Sequence, residues 1–99
     1  MTRRVITTPA AESHISAIDA WWRAHRTAAP TLFLTELEEA LDVLEQVPFA
    51  GAPYSLSPIA GVRRLLLPKS RYHVYYVVVG DAAVVLTVWH ASRGRGPAL

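Results

Sequence analysis

The stretch Gly61–Gly96, GVRRLLLPKSRYHVYYVVVGDAAVVLTVWHASRGRG, decides the fold. Three runs rich in Val, Leu and Tyr follow one another in it: Val62–Leu67, Arg71–Val79 and Ala82–His90. Pro68-Lys69-Ser70 separates the first two, and Gly80-Asp81 separates the last two. Apolar, β-branched and aromatic runs of this length, punctuated by turn residues, predict an antiparallel meander. In the middle run Tyr72, Val74, Tyr76 and Val78 point one way, and Arg71, His73, Tyr75, Val77 and Val79 the other. In the last run Val84, Leu86, Val88 and His90 alternate with Ala83, Val85, Thr87 and Trp89. Both faces are apolar near the strand middles, so alternation alone does not choose the face that the rest of the chain covers. Antiparallel pairing brings the start of one strand beside the end of the next. Arg71 and His73 are therefore expected near His90 at one end of the sheet, with Arg63 nearer the other end.

The chain before this stretch reads as its cover. Arg4–Thr8 (RVITT) is short and β-branched, a strand that must join the meander to be stable. Pro9 suits a first helical turn, Thr8 is a plausible N-cap, and Glu12 favours the positive end of the helix dipole. From Pro9 to about Arg26, Ala11, Ile15, Ile18 and Trp22 fall on one face, widened by His14, Ala17 and Trp21. Thr27–Pro30 is a break. A second helix is expected from about Pro30 or Thr31 to Gln46, with Phe33, Leu37, Leu41 and Leu44 on one side and Leu34, Ala40 and Val47 beside them. So short a loop makes the two helices an antiparallel hairpin. Phe49–Ala60, with Gly51, Pro53 and Pro58, reads as irregular chain. Residues 91–99 (ASRGRGPAL) read as a mobile tail. The expected fold is α+β in one domain, 1–99: an N-terminal strand and an antiparallel helix hairpin packed on a three- to four-stranded, mainly antiparallel sheet.

The 99 residues suffice for one domain, and a 52% hydrophobic composition can bury a core, so disorder is not expected. No cysteine is present, which excludes disulfides and thiolate metal sites. MTRRVITTPAAESH lacks the apolar core of a signal peptide, and the longest apolar run, Val74–Val79, is far short of the roughly 20 residues that span a bilayer. A soluble, cytoplasmic protein without membrane contact is the expectation. The net charge of +2 conceals an uneven distribution. Residues 1–60 carry four arginines against seven carboxylates, whereas residues 61–99 carry six cations against Asp81 alone. A basic half beside an acidic half suggests an anionic partner, nucleic acid or an acidic protein segment.

The chain has no Gly-rich phosphate loop, no recognisable Ser/His/Asp motif and no paired carboxylates on a strand end, so no cofactor is expected. His14, His25, His73 and His90 show no metal-ligand spacing, so no metal is expected either. The residues that remain are Arg71, His73, His90 and Arg93, with Tyr72 or Tyr75 nearby and Arg63 and Arg95 at the margins. Arginine forks bind phosphate in bidentate fashion, and histidine exchanges protons near neutral pH. Such a group could grip RNA and assist its cleavage, or each member could be an ordinary solvated strand end. Trp21 and Trp22 also stand out: adjacent helix positions cannot both face the sheet squarely, so either one packs inward and the other meets a partner in an exposed groove, or both are ordinary residues at the rim of the core.

Four segments, Val62-Arg63-Arg64-Leu65, Tyr72-His73-Val74-Tyr75-Tyr76-Val77-Val78, Gly80-Asp81, and Val84–Val88 leading into Trp89-His90-Ala91-Ser92-Arg93, give this order of elements a familiar form. The chain resembles the RelE/ParE superfamily of toxins from bacterial type II toxin–antitoxin systems. The resemblance implies a growth-inhibiting, plasmid-stabilising toxin bound by a cognate antitoxin in a hetero-oligomer, with Trp21, Trp22 and Leu34 as expected antitoxin contacts. RelE-like members cut mRNA in the ribosome, and ParE-like members poison DNA gyrase. Where the RelE-like pattern has an arginine ahead of the central aliphatic-Tyr pair, this chain has His73. It also lacks the RelE-like tyrosine near the C-terminus. His90 and Arg93 resemble the His-x-x-Arg that ends the last strand. The resemblance is thus closer to the ParE branch, an inhibitor of gyrase. Arg63, Arg71, His73, His90, Arg93 and Arg95 are its expected target-binding residues. A ribosome-dependent endonuclease using His73, His90, Arg71 and Arg93, or a non-toxic binding module, are the alternatives.

Overall fold

A computed structural model describes residues 4–93 and 95–99. The elements run β1 (Arg4–Thr7), α1 (Pro9–His25), α2 (Leu32–Gln46), β2 (Ala52–Pro53), β3 (Arg63–Leu66), β4 (Tyr72–Val79) and β5 (Ala82–His90). The strands form one sheet in the order β1-β5-β4-β3-β2. All neighbours pair antiparallel except β1 and β5, which are parallel, with Arg4 opposite Ala82 and Thr7 opposite Val85. The α+β architecture stands as expected, with one strand more: Pro53 and Ala52, in the stretch expected to be irregular, pair with Arg63 and Arg64 at the sheet edge. A proline is tolerated at an edge because its missing N–H faces no neighbouring strand.

Local chemistry starts α1. The Thr8 hydroxyl accepts from the Ala11 N–H at 3.1 Å, and Pro9 occupies the first turn. The helix hairpin covers one face of the sheet. Ala11, Trp22, Phe33, Leu37, Ala40 and Leu44 from the helices meet Val74, Tyr76, Ala83, Val85 and Val88 from the strands. Tyr76 is fully buried and its hydroxyl accepts the Gly51 N–H at 2.9 Å, which draws the loop after α2 onto the sheet. Val47, grouped with the apolar side of α2 on periodicity, is instead exposed, because it lies past the helix end.

The covered face is set by a β-bulge. Tyr75 pairs with Thr87 and Tyr76 with Val85, so Leu86 is an extra residue in β5. The expected alternation in β5 breaks there. Ala83 and Val85 before the bulge, and Val88 after it, all join the core.

The carboxylate of Glu36 is 7% exposed and, among the described residues, belongs to no ion pair. It accepts the backbone N–H groups of Lys69 at 2.9 Å and Ser70 at 2.7 Å. Burial pushes its pKa up, but those hydrogen bonds and the nearby Lys69 charge outweigh burial and hold it below the ordinary carboxylate value. Glu36 thereby ties α2 to the turn between β3 and β4.

Candidate target-binding surface

That turn delivers the strand end where the candidate residues gather. Its last residue, Arg71, has φ of 68°, a left-handed conformation that costs a non-glycine residue about 1–2 kcal/mol. The turn is closed by the Arg71 N–H donating to the Leu67 carbonyl, and β4 then starts with Tyr72 opposite His90 and His73 opposite Trp89. The Ala91 N–H donates to the Arg71 carbonyl at 2.7 Å. Arg71, His73 and His90 therefore come together at one end of the sheet, as the pairing argument requires.

They do not share a face. Because neighbouring strand residues point to opposite sides, His73 and His90 leave the sheet in opposite directions. His90 turns to the helix side, its ring edge-on to Tyr72 with centroids 4.8 Å apart. There it borders a cleft of about 630 Å³ lined also by Trp21, Trp22, Arg26 and Arg93. The Ser92 N–H donates to His90 Nδ1 at 3.1 Å, and the Ser92 hydroxyl lies 2.6 Å from the same nitrogen. A backbone N–H can only donate, so Nδ1 is an acceptor and neutral His90 carries its proton on Nε2.

His73 faces the helix-free side with Tyr75, ring centroids 6.0 Å apart. Burial, and then the charges of Arg64 and Arg71, push its pKa below the ordinary imidazole value. It lines a smaller cleft, about 100 Å³, with Tyr54, Arg64, Trp89, Arg93 and Arg95, and His90 borders this cleft as well. Arg64 was no candidate on sequence grounds, since the strand pairing that aims it here involves Tyr75, two residues beyond His73. Arg93 lies 4.2 Å over the Trp89 ring and borders both clefts. The tail crosses the helix-free cleft: the Arg95 carbonyl accepts from Trp89 Nε1 at 2.9 Å. Gly96 passes so close to the Tyr54 hydroxyl that a Cβ there would collide with it.

Arg63 stands apart. Its guanidinium donates to the Gly51 carbonyl at 2.6 Å and the Phe49 carbonyl at 3.3 Å and stacks over Phe49, so it clamps the loop after α2. On the helices, Trp22 is 8% exposed and packs into the core, whereas Trp21 is 41% exposed. Trp21 stacks on His25, and Arg26 lies over both indoles. Leu34 is half-buried in a different groove, beside Glu12, Glu38, Asp42 and Glu45, so it does not share a surface with the tryptophans. Among the described residues no group of His, Asp or Glu is placed to hold a metal ion, and no helix is long and apolar enough to cross a membrane.

Residues 5–94 match the family model of the ParE toxin of the type II toxin–antitoxin system parDE. The chain belongs to the ParE toxin family. No curated protein matches this ParE-family chain significantly. Among solved structures, the chromosomal ParDE toxin–antitoxin system from P. aeruginosa is similar with a TM-score of 0.74 and 21% identity, over 92% of this chain and 98% of that one. An arginine double mutant of the E. coli toxin RelE in the free state is similar with a TM-score of 0.61 and 16% identity, over 95% of this chain and 88% of that one. At those identities both likenesses establish a shared fold for the ParE-family toxin.

Proposed function

We propose that this toxin arrests growth in the cytoplasm by engaging DNA gyrase through the basic end of its sheet, and that a cognate antitoxin neutralises it. One observation carries the choice of inhibitor over nuclease: His73 and His90 leave the sheet on opposite faces. Cleavage of a phosphodiester by general acid–base chemistry needs two proton-transferring groups within reach of one bond. Here the two imidazoles project from opposite faces of the sheet, with His90 at the border of both clefts, and among the described residues no carboxylate lines the cleft that holds His73. What remains at that end is Arg71, Arg93 and Arg95, suited to gripping an anionic or hydrogen-bonding target. The deciding experiment is gyrase supercoiling in vitro with purified toxin. Supercoiling should be blocked, and intact activity at large toxin excess would refute the reading.

The ribosome remains a second reading, favoured by the five cationic or imidazole residues that line one cleft, Arg64, His73, His90, Arg93 and Arg95. Toxin added to a translation extract should then truncate mRNA. For the antitoxin we propose two contact areas, Trp21 with Trp22 on one groove and Leu34 on another, bridged by a segment that wraps the helix hairpin. Loss of co-purification on Trp21→Ala, with folding intact, is the expected result.

A further inference from the structure

The helix-free cleft sets its cations beside aromatic rings, a combination that gripping a protein target does not require. Arg64 from β3, His73 and Tyr75 from β4, and Trp89 from β5 converge on it because Arg64 is paired with Tyr75 and His73 with Trp89. The tail supplies Arg93 and Arg95. Among the described residues only Arg4 and Arg23 stand within ion-pair distance of a carboxylate, so the three cleft arginines are uncompensated. Arg64 is held in position by an aromatic frame: it lies 5.2 Å over Tyr54, reaches the Tyr75 hydroxyl at 3.4 Å, and Tyr54 is edge-on to Tyr75 at 4.9 Å. The imidazole of His73 makes no hydrogen bond among the described residues, leaving a donor and an acceptor free.

We infer that this cleft binds single-stranded nucleic acid. A phosphate sits among Arg64, His73 and Arg95, and the adjoining base stacks on the guanidinium of Arg93, which itself lies on Trp89. The volume of about 100 Å³ suits a phosphate group and not a whole nucleotide, so the base rests on the rim. Cations that track a backbone beside planar groups that stack bases are the two elements of sequence-tolerant single-strand binding. An acidic peptide would satisfy the arginines but has no use for the stacking platform. Within the gyrase reading, on which this use of the site rests, the ligand is the DNA strand that the enzyme holds open.

The test is fluorescence anisotropy of a labelled oligothymidylate of about 12 nucleotides with the purified full-length toxin. Binding should weaken with salt, with a log–log slope of about −0.7 for each phosphate contacted. Arg93→Gln and Arg95→Gln should each weaken binding roughly tenfold and flatten the slope, as expected for loss of a charge-assisted contact. Among the described residues the Arg95 side chain has no hydrogen-bond or ion-pair partner, so its variant tests the site with little folding penalty. Arg23→Gln, on the outer face of α1 and paired with Asp19, should leave binding unchanged. No binding at low salt, unchanged affinity in both cleft variants, equal loss in Arg23→Gln, or equal competition by oligoglutamate would each overturn the inference. Gyrase inhibition is measured separately. Inhibition without oligonucleotide binding refutes the nucleic-acid site alone, and oligonucleotide binding without inhibition refutes the gyrase reading alone.

Discussion

Glu36→Ala should be the most damaging single loss of charge in this toxin. The side chain is 7% exposed and accepts two backbone N–H groups, from Lys69 at 2.9 Å and Ser70 at 2.7 Å. A hydrogen bond to a charged acceptor contributes about 1.5–3 kcal/mol, and an abandoned buried N–H costs about 1–3 kcal/mol. The two terms overlap, because the Lys69 N–H lies near the surface and recovers water. A net loss of about 3 kcal/mol follows, a large share of the roughly 5–15 kcal/mol that holds a domain together. With a urea slope of about 1.5 kcal/mol per M, the unfolding midpoint should fall by about 2 M. Glu36→Gln keeps one acceptor oxygen and loses the charge, so it should lie between Glu36→Ala and the parent. The pH dependence has a definite sign. The folded state holds this carboxyl below its ordinary value. Its contribution is therefore complete above about pH 4.3, the unfolded carboxylate range, and disappears as pH falls through the lower folded value. Glu36→Gln should flatten that acid limb. A midpoint shift under about 0.5 M for Glu36→Ala, or an acid limb unchanged in Glu36→Gln, would refute the clamp.

Four further outcomes follow from particular contacts. A Cβ on Gly51 would lie 2.7 Å from the Tyr76 hydroxyl and 2.8 Å from the Arg64 carbonyl, so Gly51→Ala should cost about 1–3 kcal/mol, read from thermal melts. Arg71→Gly relieves the left-handed backbone at φ 68° and should raise Tm by about 4–8 °C, whereas a fall would mean the turn is not strained. Because the fold holds His73 below its ordinary pKa, stability should decline as pH drops below about 6.5 toward the folded value; Arg64→Gln should move the His73 NMR titration back upward, and no movement would remove Arg64 as a cause. Thr8→Val removes both the α1 cap and the hydroxyl that donates to the Leu86 carbonyl at 3.2 Å, and should cost about 1–2 kcal/mol by urea unfolding.

The meander was legible because its punctuation is chemical: Pro68 and Gly80 end runs that β-branched residues begin, and Ala82–His90 forms a strand with those same bounds. Two-residue β2 was not, since Pro53 argues against a strand and only the edge position excuses it. Parallel pairing of β1 with β5 is a tertiary choice that four residues cannot announce. Glu36 was hidden among the acidic residues of α2, although a signal existed. It lies three residues after Phe33 and four before Ala40, both buried, which puts it on the core stripe and not on the solvated one. At the candidate site, strand pairing told which residues meet, but not which face each takes.

That last point turns on the bulge. Strict alternation from Ala83 and Val85, which face the helices, would send Thr87 and Trp89 to the helix side and His90 to the open side. The extra residue Leu86 reverses the parity, so Val88 enters the core, Trp89 pairs with His73 on the open face, and His90 meets Tyr72 under the helices. A one-residue slip that exposes an apolar set is normally costly, and here the cost is met at the N-terminus of α1. The Thr8 hydroxyl donates to the bulged Leu86 carbonyl, and His14 Nδ1 lies 2.6 Å from the Thr87 hydroxyl. The helix cap that starts α1 thus also fixes the register of β5 some 80 residues later. The separation of the two histidines, which argues for an inhibitor, and the arrival of Trp89 among the arginines, which argues for a nucleic-acid site, are two results of the same inserted residue.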